Sequence, residues 1–278
     1  MANQPMVWIN GSLISKDGAS LSPFDHGVTV GDGIFETLQV VNGVAFAIRR
    51  HLERVRRSAS GLRLPIPLND EQIEHAMCEV ITANEVDSGC VRLTITGGIS
   101  PLGSDRGDAG ATVIVASAPL PKWDRTTNVV TVPWPRNERG AVAGLKTTSY
   151  AENVVALDYA HERDGSEAIF ANTVGQLCEG TGSNVFLVKN GRLSTPTLAS
   201  GCLAGITREL LMTLIECEET DLPLAALAEA DEAFLTSSTR NVQSIRSVNG
   251  HELGDAPGPI TKAAVEAFSE LMSSSLNP

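Results

Sequence analysis

The chain has 278 residues, 42% of them hydrophobic and 19% charged, and a formal net charge of −12. This composition excludes a disordered or collagen-like chain, and the acidic balance argues against a nucleic-acid-binding surface, which needs clustered lysine and arginine. The apolar runs are too short to cross a membrane, and the first residues lack the basic start and long apolar stretch of a signal peptide. We therefore expect a cytoplasmic protein whose five cysteines stay reduced and hold no metal.

Four Asn-Gly pairs with apolar residues on both sides predict four β-hairpins. They are Asn10-Gly11, Asn42-Gly43, Asn190-Gly191 and Asn249-Gly250. Both central residues of a type I′ turn have positive φ, which asparagine and glycine tolerate best. Because helical stretches separate these pairs, we expect an α+β chain with antiparallel sheets and flanking helices rather than a βαβ protein.

Apolar periodicity predicts further elements along the chain. Helices are expected where apolar residues recur every three or four positions, at 51–62, 70–84, 151–163 and 210–215. Strands are expected in runs of β-forming residues at 91–96, 111–116, 168–172 and 184–189. The first two of these strands enclose a loop rich in Gly, Ser, Pro and Asp at 97–110, and loops of that length are usually functional or disordered.

The segment 118–126 is the best candidate for a domain boundary, because it contains Pro119, Pro121 and three charged residues. The sequence thus predicts an N-terminal α+β domain at 1–120 and a C-terminal α+β domain at 121–278. A chain of this size can bury a sufficient core without disulfides or metals.

Four short segments could carry chemistry, although each alone is also typical of ordinary structure. Gly31-Asp32-Gly33 could bind phosphate, but it is more often a turn. Lys146 could be a reactive amine or a solvated surface lysine, and a bare turn would explain the segment around Glu179. Gly205-Ile206-Thr207 opens a helix, whose first backbone N–H groups suit an anion but also need an ordinary cap.

The order of the motifs points to one family. In the first half come Gly31-Asp32-Gly33-Ile34-Phe35-Glu36-Thr37, Arg50-His51-Leu52-Glu53-Arg54 and Gly144-Leu145-Lys146-Thr147-Thr148-Ser149-Tyr150. They are followed by Glu179-Gly180 with Ser183-Asn184-Val185-Phe186, Gly205-Ile206-Thr207-Arg208 and Leu235-Thr236-Ser237-Ser238. From about residue 7 to residue 250 this series resembles the fold-type IV pyridoxal-phosphate enzymes. That family contains branched-chain aminotransferases, D-amino-acid aminotransferases and aminodeoxychorismate lyases.

The resemblance implies a two-domain fold like that of D-amino-acid aminotransferase, a homodimer, and pyridoxal 5'-phosphate bound in the cleft between the domains. Lys146 matches the lysine that forms the Schiff base and moves the proton, and Glu179 matches the carboxylate that keeps the pyridine nitrogen protonated. Arg54 matches the phosphate-binding arginine. The other cofactor-binding positions that the resemblance implies are Tyr150, Ser183, Asn184, Gly205, Ile206, Thr207, Ser237 and Ser238.

The sequence around Lys146 and around Glu179 is most similar to that of short bacterial aminodeoxychorismate lyases. Arg106-Gly107 is similar to an Arg-Gly pair in the corresponding loop of many such lyases. This resemblance implies an enzyme of folate biosynthesis that converts 4-amino-4-deoxychorismate to 4-aminobenzoate and pyruvate. Phe35, Glu36 and Arg106 are the candidate substrate contacts.

Two other functions stay open. One is a D-amino-acid or branched-chain amino-acid aminotransferase, and the other is an inactive binding protein on the same scaffold. D-Amino-acid aminotransferases bind the substrate carboxylate with an arginine and a histidine after a Ser-Pro, but Leu102 and Ser104 stand at those positions here. A substrate carboxylate in so acidic a protein needs local cations, for which the available arginines are Arg92, Arg106, Arg136, Arg139 and Arg240.

Overall fold

The computed structural model describes residues 4–278 and divides the chain into two compact units. Unit 1 contains the chain up to Pro121 together with Leu145–Tyr150 and Leu276–Pro278, and unit 2 contains Lys122–Gly144 and Ala151–Ser275. The sequence placed Lys146 in the C-terminal domain. The structure instead groups the segment Leu145–Tyr150 with unit 1, because the backbone around Lys146 pairs with a strand of that unit.

Unit 1 is built on one sheet with three helices. Its strands are β1 (Met6–Ile9), β2 (Ser12–Ser15), β3 (Gly33–Val41), β4 (Val44–Ala45), β5 (Ser88–Thr96) and β6 (Thr112–Ala118). Its helices are α1 (His26–Thr29), α2 (Ile48–Leu62) and α3 (Asp70–Ala83). The strand order is β2-β1-β6-β5-β3-β4, and all of these pairs are antiparallel. The apolar residues of α2 and α3, such as Leu52 and Met77, join those of the sheet in one core.

The segment 145–150 extends the sheet of unit 1 beside the first residues of β3. Phe35 donates its backbone N–H to the carbonyl of Lys146 at 3.1 Å, and Thr148 donates to Gly33 at 2.8 Å. Strand β4 pairs only with Val40 and Val41, so it leaves this edge of β3 open to a second partner. The pairing fixes the backbone of Lys146 against β3.

Unit 2 is built on a larger mixed sheet with three helices. Its strands are β7 (Thr126–Thr131), β8 (Glu167–Ala171), β9 (Leu177–Gly180), β10 (Asn184–Lys189), β11 (Arg192–Thr195), β12 (Glu218–Glu219), β13 (Glu232–Ser237), β14 (Asn241–Val248) and β15 (His251–Glu252). Its helices are α4 (Ala151–His161), α5 (Ile206–Leu214) and α6 (Pro259–Ser274). The strand order is β12-β11-β10-β13-β14-β7-β8-β9, with β15 on β14.

The α+β expectation is confirmed, with one local difference in unit 2. Strands β7 and β8 are parallel neighbours, and so are β14 and β7. Parallel neighbours need a long crossover connection, and the chain from β7 to β8 contains α4, so this part is a βαβ unit. The sequence missed this unit because the strand at β7 was not predicted.

All four Asn-Gly hairpins are confirmed. The pairs connect β1 to β2, β3 to β4, β10 to β11 and β14 to β15. Asn10 and Gly11, for example, have φ of 47° and 93°, as a type I′ turn requires. The predicted helices at 51–62, 70–84 and 151–163 correspond to α2, α3 and α4 within a few residues.

Candidate active site

In unit 1, the side chain of Lys146 lies among aromatic rings. Its Nζ is 4.1 Å from the centroid of the Phe35 ring and 5.7 Å from that of Tyr150, and these two rings meet edge to face at 5.0 Å. The guanidinium carbon of Arg92 lies 3.8 Å from the Phe35 centroid. Strand β3 carries Phe35 and strand β5 carries Arg92, and the paired segment 145–150 carries the other two residues. The structure thus brings together the predicted residues Phe35, Lys146 and Tyr150.

A buried ionic cluster lies one residue further along β3. Arg54, on the inner face of α2, donates from Nε to Glu36 Oε1 at 2.7 Å and from Nη2 to Oε2 at 2.8 Å. His51 Nδ1 lies 2.6 Å from Glu36 Oε2. The Glu36 side chain is buried, and burial opposes its ionisation, yet Arg54 and His51 together hold the pKa of Glu36 below its ordinary value. Burial also lowers the pKa of His51, against the attraction of Glu36.

This cluster corrects one expected substrate contact. The Glu36 side chain has no exposed surface, and both of its carboxylate oxygens bind Arg54 or His51. A carboxylate in that position cannot contact substrate directly. It fixes the guanidinium of Arg54, the residue expected to bind phosphate.

The guanidinium of Arg106, another expected substrate contact, is bound within unit 1. Its Nε and Nη2 donate to both oxygens of Asp32 at 2.7 and 2.6 Å, and its Nη1 and Nη2 reach the carbonyls of Arg63 and Leu62. The Arg106 guanidinium lowers the pKa of Asp32 through these hydrogen bonds, which outweigh the effect of burial. Arg106 therefore anchors the loop 97–110 to Asp32 of the Gly-Asp-Gly segment.

In unit 2, Glu179 lies near the end of β9 and is held from two sides. Its Oε2 accepts the backbone N–H of Leu203 at 2.8 Å, and its Oε1 lies 3.4 Å from Arg136 Nε. Arg136 also donates to Glu152 and Asn153, both at 2.7 Å, so its guanidinium is fixed in place. The carboxylate of Glu179 is therefore oriented and faced by a positive charge, while 14% of its side chain stays exposed.

No side chain within residues 4–278 caps the N-terminus of α5. The residue before the helix is Gly205, and a Cβ built there would lie 1.9 Å from Asn184 Oδ1. Asn184 is itself held by its Nδ2 hydrogen bond to the carbonyl of Leu203 at 2.8 Å. The backbone N–H groups of Ile206 and Thr207 thus begin a helix whose positive end suits an anion.

Ser237 ends β13 and Ser238 begins the turn that follows it, and both residues are half-buried. Ser237 Oγ accepts the backbone N–H of Arg240 at 3.2 Å, which closes the turn. Next to it, the buried Thr236 Oγ1 has no hydrogen-bond partner among residues 4–278. An unpartnered buried hydroxyl beside two further hydroxyls is consistent with a polar ligand at this turn.

These observations fit the expected cofactor. Pyridoxal 5'-phosphate needs an amine, a carboxylate for its ring nitrogen and a positive, N–H-rich site for its phosphate. Lys146, Glu179, Arg54 and the uncapped start of α5 are of these chemical types. The backbone at Gly205 leaves no room for a side chain, which also favours close approach of a ligand to the helix N-terminus.

Several functional contacts were missed or only partly found from the sequence. The sequence motifs include His51, and Arg136 is one of the arginines available for a substrate carboxylate, but the sequence does not predict their contacts with Glu36 and Glu179. It gives no indication of Glu167. Glu167 begins β8 and binds Thr181 and Ser183 next to Glu179. No local signal distinguishes it, because a glutamate at the start of an apolar strand is normally solvated, whereas its side chain is 1% exposed.

Among residues 4–278, no helix is long and apolar enough to cross a membrane. Within the same range, no three His, Cys, Asp or Glu side chains are grouped so that they could hold a metal ion. The five cysteines are free thiols.

Residues 33–248 match the family model for amino-transferase class IV. A protein of Methanocaldococcus jannaschii, provisionally named a branched-chain-amino-acid aminotransferase, is 31% identical over 275 residues, which cover 95% of this chain and 96% of the relative. A D-alanine aminotransferase of Listeria monocytogenes is 28% identical, with 95% of each chain covered.

Solved structures show the same relationship. The branched-chain amino acid aminotransferase of Escherichia coli superposes with a TM-score of 0.91 at 27% identity, covering 96% of this chain and 94% of the other. A Legionella pneumophila protein provisionally named a 4-amino-4-deoxychorismate lyase has a TM-score of 0.84 at 24% identity, covering 92% and 96%. At that identity the second likeness shows the fold alone.

Proposed function

This chain belongs to the class IV aminotransferase family, and we propose that within it the chain is an amino-acid aminotransferase for L-amino acids with branched aliphatic side chains. Its cofactor is pyridoxal 5'-phosphate, as in the family. The observation that carries the proposal is the arrangement of Phe35, Tyr150 and Arg92 around the amine of Lys146. The relatives named above support an aminotransferase better than the lyase that the motif wording suggested.

The surroundings of Lys146 suit an aliphatic amino donor and a dicarboxylate acceptor. The rings of Phe35 and Tyr150 offer apolar surface for an aliphatic side chain. Arg92, over the Phe35 ring that Lys146 also contacts, supplies a cation for a substrate carboxylate. We therefore propose 2-oxoglutarate as the amino acceptor.

A D-amino-acid aminotransferase is the second candidate, because D-alanine aminotransferases are among the relatives. The loop after Ser100-Pro101 argues against it. Leu102 and Ser104 offer no charge for a substrate carboxylate, and the guanidinium of Arg106 in the same loop is occupied by Asp32 and two carbonyls. The same occupancy removes one of the substrate contacts on which the lyase hypothesis depended.

The residues of this chain have separate roles in the proposed reaction. Bound pyridoxal 5'-phosphate supplies a ring that stabilises negative charge at the substrate α-carbon. Lys146 Nζ attaches the cofactor and then carries the proton to and from that carbon. Glu179, fixed by the Leu203 N–H and Arg136, accepts the hydrogen bond of the ring nitrogen. These assignments follow the match of each residue to the family motifs.

The phosphate is proposed to be bound by charged and neutral donors together. Arg54, oriented by Glu36, supplies the charge, and the N–H groups of Ile206 and Thr207 supply the helix N-terminus. Ser237 and Ser238 add hydroxyls from the end of β13 and the turn after it. Ser183 and Asn184 act in this scheme by shaping the backbone next to Glu179 and Gly205.

A side-by-side assay tests the proposal. The purified protein with pyridoxal 5'-phosphate is given L-leucine, L-valine or D-alanine, each with 2-oxoglutarate, and separately 4-amino-4-deoxychorismate. We expect transamination of the two L-amino acids with the highest kcat/KM. A higher kcat/KM for D-alanine, or formation of 4-aminobenzoate as the fastest reaction, would overturn the proposal in favour of the second candidate or the lyase.

A further inference from the structure

Glu167 is a buried carboxylate that accepts four hydrogen bonds from unit 2 and faces the guanidinium of Arg240. Its Oε1 accepts the backbone N–H groups of Thr181 and Ala168, at 3.0 and 3.1 Å, and the hydroxyl of Thr181. Its Oε2 accepts the hydroxyl of Ser183 at 3.0 Å and lies 3.2 Å from Arg240 Nη2. A buried charge with this many donors is well compensated, so its position is fixed.

The hydrogen bonds to Glu167 Oε1 fix the backbone of the turn that follows Glu179. The turn runs from Gly180 to Ser183 and is closed by the Gly180 N–H to Ser183 carbonyl bond at 2.7 Å. A Cβ built on Gly180 would lie 3.1 Å from the carboxyl carbon of Glu167, so the glutamate packs directly on the turn backbone. Moving Glu167 therefore moves the residue after Glu179.

Glu167 Oε2 is linked to the turn at Ser237 and Ser238 through its ion pair with Arg240. The Arg240 guanidinium lies over the Trp123 ring at 3.8 Å, donates to Gln243 at 2.8 Å, and its side chain is only 7% exposed. Its Nη2 donates to the Ser166 carbonyl at 3.3 Å and lies 3.2 Å from Glu167 Oε2, and its backbone N–H donates to Ser237 Oγ. Strands β10 and β13 pair at Asn184 and Thr236, which puts both turns at the same end of the sheet.

We propose that Glu167 is a positioning residue. It fixes the Gly180–Ser183 turn and the Ser237-Ser238 turn relative to each other, so that the ring and the phosphate of the cofactor are bound together. This inference rests on the proposed function, in which the first turn serves the ring and the second the phosphate. Glu167 acts on the Gly180–Ser183 turn directly and on the other through Arg240.

The contacts of Glu167 with the two turns should affect different parts of the bound cofactor. Glu167→Gln should disturb both turns, whereas Arg240→Gln should disturb only the turn at Ser237 and Ser238. Pyridoxal, which lacks the phosphate, separates these effects. A merely structural role for Glu167 would lower the free energy of unfolding and leave the affinities of the folded protein for both ligands at their wild-type values.

The experiment titrates the full-length chain, freed of cofactor by dialysis, with pyridoxal 5'-phosphate or pyridoxal and follows tryptophan fluorescence. Matched controls are Glu232→Gln and Arg246→Gln. Glu232 is another buried glutamate of unit 2, which accepts the N–H groups of Ile260 and Thr261 at the start of α6, and Arg246 is an exposed arginine of β14. Urea unfolding of each variant gives the loss of stability.

We expect Glu167→Gln to weaken binding of both ligands about tenfold, the order of effect seen when an outer partner of a binding group is removed. Arg240→Gln should weaken pyridoxal 5'-phosphate by a similar factor and leave pyridoxal unchanged, and both controls should bind like wild type. Wild-type affinities in Glu167→Gln, or in the Glu232→Gln control a loss as large as that of Glu167→Gln, would overturn the proposal.

If Glu167→Gln does not fold, Arg240→Gln decides alone, and an unchanged ratio of the two affinities overturns the proposal. The result is independent of substrate. A wild-type protein that binds pyridoxal 5'-phosphate but transaminates none of the tested amino acids would overturn the proposed function without affecting the affinities that test Glu167.

Discussion

Glu36 binds Arg54 through two parallel hydrogen bonds, Nε to Oε1 at 2.7 Å and Nη2 to Oε2 at 2.8 Å, with both side chains buried. Such a bidentate pair fixes the plane of the guanidinium as well as its position. The charge proposed to bind phosphate is therefore oriented before any ligand arrives, which lowers the entropic cost of binding.

The first prediction concerns the stability of this pair. Glu36→Gln leaves the Arg54 charge without its partner in a buried site, so the free energy of unfolding should fall by about 3 kcal/mol. Urea denaturation of the cofactor-free protein measures it. As a matched control, Asp70→Asn breaks the exposed Arg56–Asp70 pair, whose loss should cost less than about 1 kcal/mol. Equal losses in the two variants would contradict a special role for the buried pair.

The same pair predicts a pH dependence. The folded-state pKa of Glu36 lies below its ordinary value, so the stability that Glu36 contributes is fully present above the unfolded-state pKa of about 4.3 and is lost as pH falls toward the folded-state pKa. The stability difference between wild type and Glu36→Gln should be constant down to about pH 5 and narrow below about pH 4. Because Glu36 also acts on the pKa of His51, the same comparison is made in the His51→Gln background, which removes this second titrating group. A constant difference down to pH 3 would show that Glu36 is not the titrating group.

The second prediction concerns Lys146. Lys146→Ala should abolish the borohydride trapping of pyridoxal 5'-phosphate on the chain and lower turnover by about a thousandfold or more, because one amine both attaches the cofactor and moves the proton. Mass spectrometry of the reduced protein and the L-leucine assay measure the two effects. Lys122→Ala, at an exposed position, should behave like wild type in both. Cofactor still trapped on Lys146→Ala would assign the attachment to another lysine.

The third prediction separates anchoring from substrate binding at Arg106. Arg106→Gln loses the two bonds to Asp32 and those to the carbonyls of Leu62 and Arg63, so the loop 97–110 should be cut several-fold faster by a protease. The exposed Arg163→Gln is the control and should leave the cleavage rate unchanged. An unchanged cleavage rate combined with a raised KM for 2-oxoglutarate would instead support Arg106 as a substrate contact.

Local patterns predicted those parts of the fold that local physics determines. The positive φ of Asn42 and Gly43 is a property of the turn itself, so the hairpin was readable from two residues. The pairing of Lys146 with β3 was not, because it joins residues more than a hundred positions apart and no periodicity marks it. The order of the motifs predicted which chemical groups would form the site. It did not predict that both oxygens of Glu36 bind Arg54 or that Glu167 is buried. Those facts depend on which side chains tertiary packing brings together.

The fourth prediction tests the start of α5. Gly205→Ala places a methyl group 1.9 Å from the position of Asn184 Oδ1, so either Asn184 or the first turn of the helix must move. Because φ at Gly205 is −72°, the effect is steric and not one of backbone strain. Affinity for pyridoxal 5'-phosphate, measured by equilibrium dialysis, should fall about tenfold or more. Gly103→Ala, whose added methyl group meets nothing within 4 Å, should bind like wild type, and equal affinity in both variants would show that the phosphate does not bind at the start of α5.

The last prediction concerns Glu179, whose carboxylate is faced by Arg136 and bound by the Leu203 N–H. Glu179→Gln keeps the shape but removes the charge that favours a protonated ring nitrogen, and each pKa unit lost there is worth about 1.4 kcal/mol between the two protonation states. Turnover of L-leucine should fall by about a hundredfold, the order seen when one fixed electrostatic group is removed. Borohydride trapping on Lys146 should persist, because the amine and the phosphate site are untouched.

The control for Glu179 is Glu152→Gln, since Glu152 is the other carboxylate on Arg136, at 2.7 Å from Nη1, and its side chain is 52% exposed. It removes the same charge from the same guanidinium without touching the proposed ring position, so turnover should stay within a few-fold of wild type. The two variants thus distinguish a carboxylate that binds the ring nitrogen from one that only neutralises the charge of Arg136. Full turnover in Glu179→Gln, or an equal loss in Glu152→Gln, would mean that the ring nitrogen is not bound by Glu179.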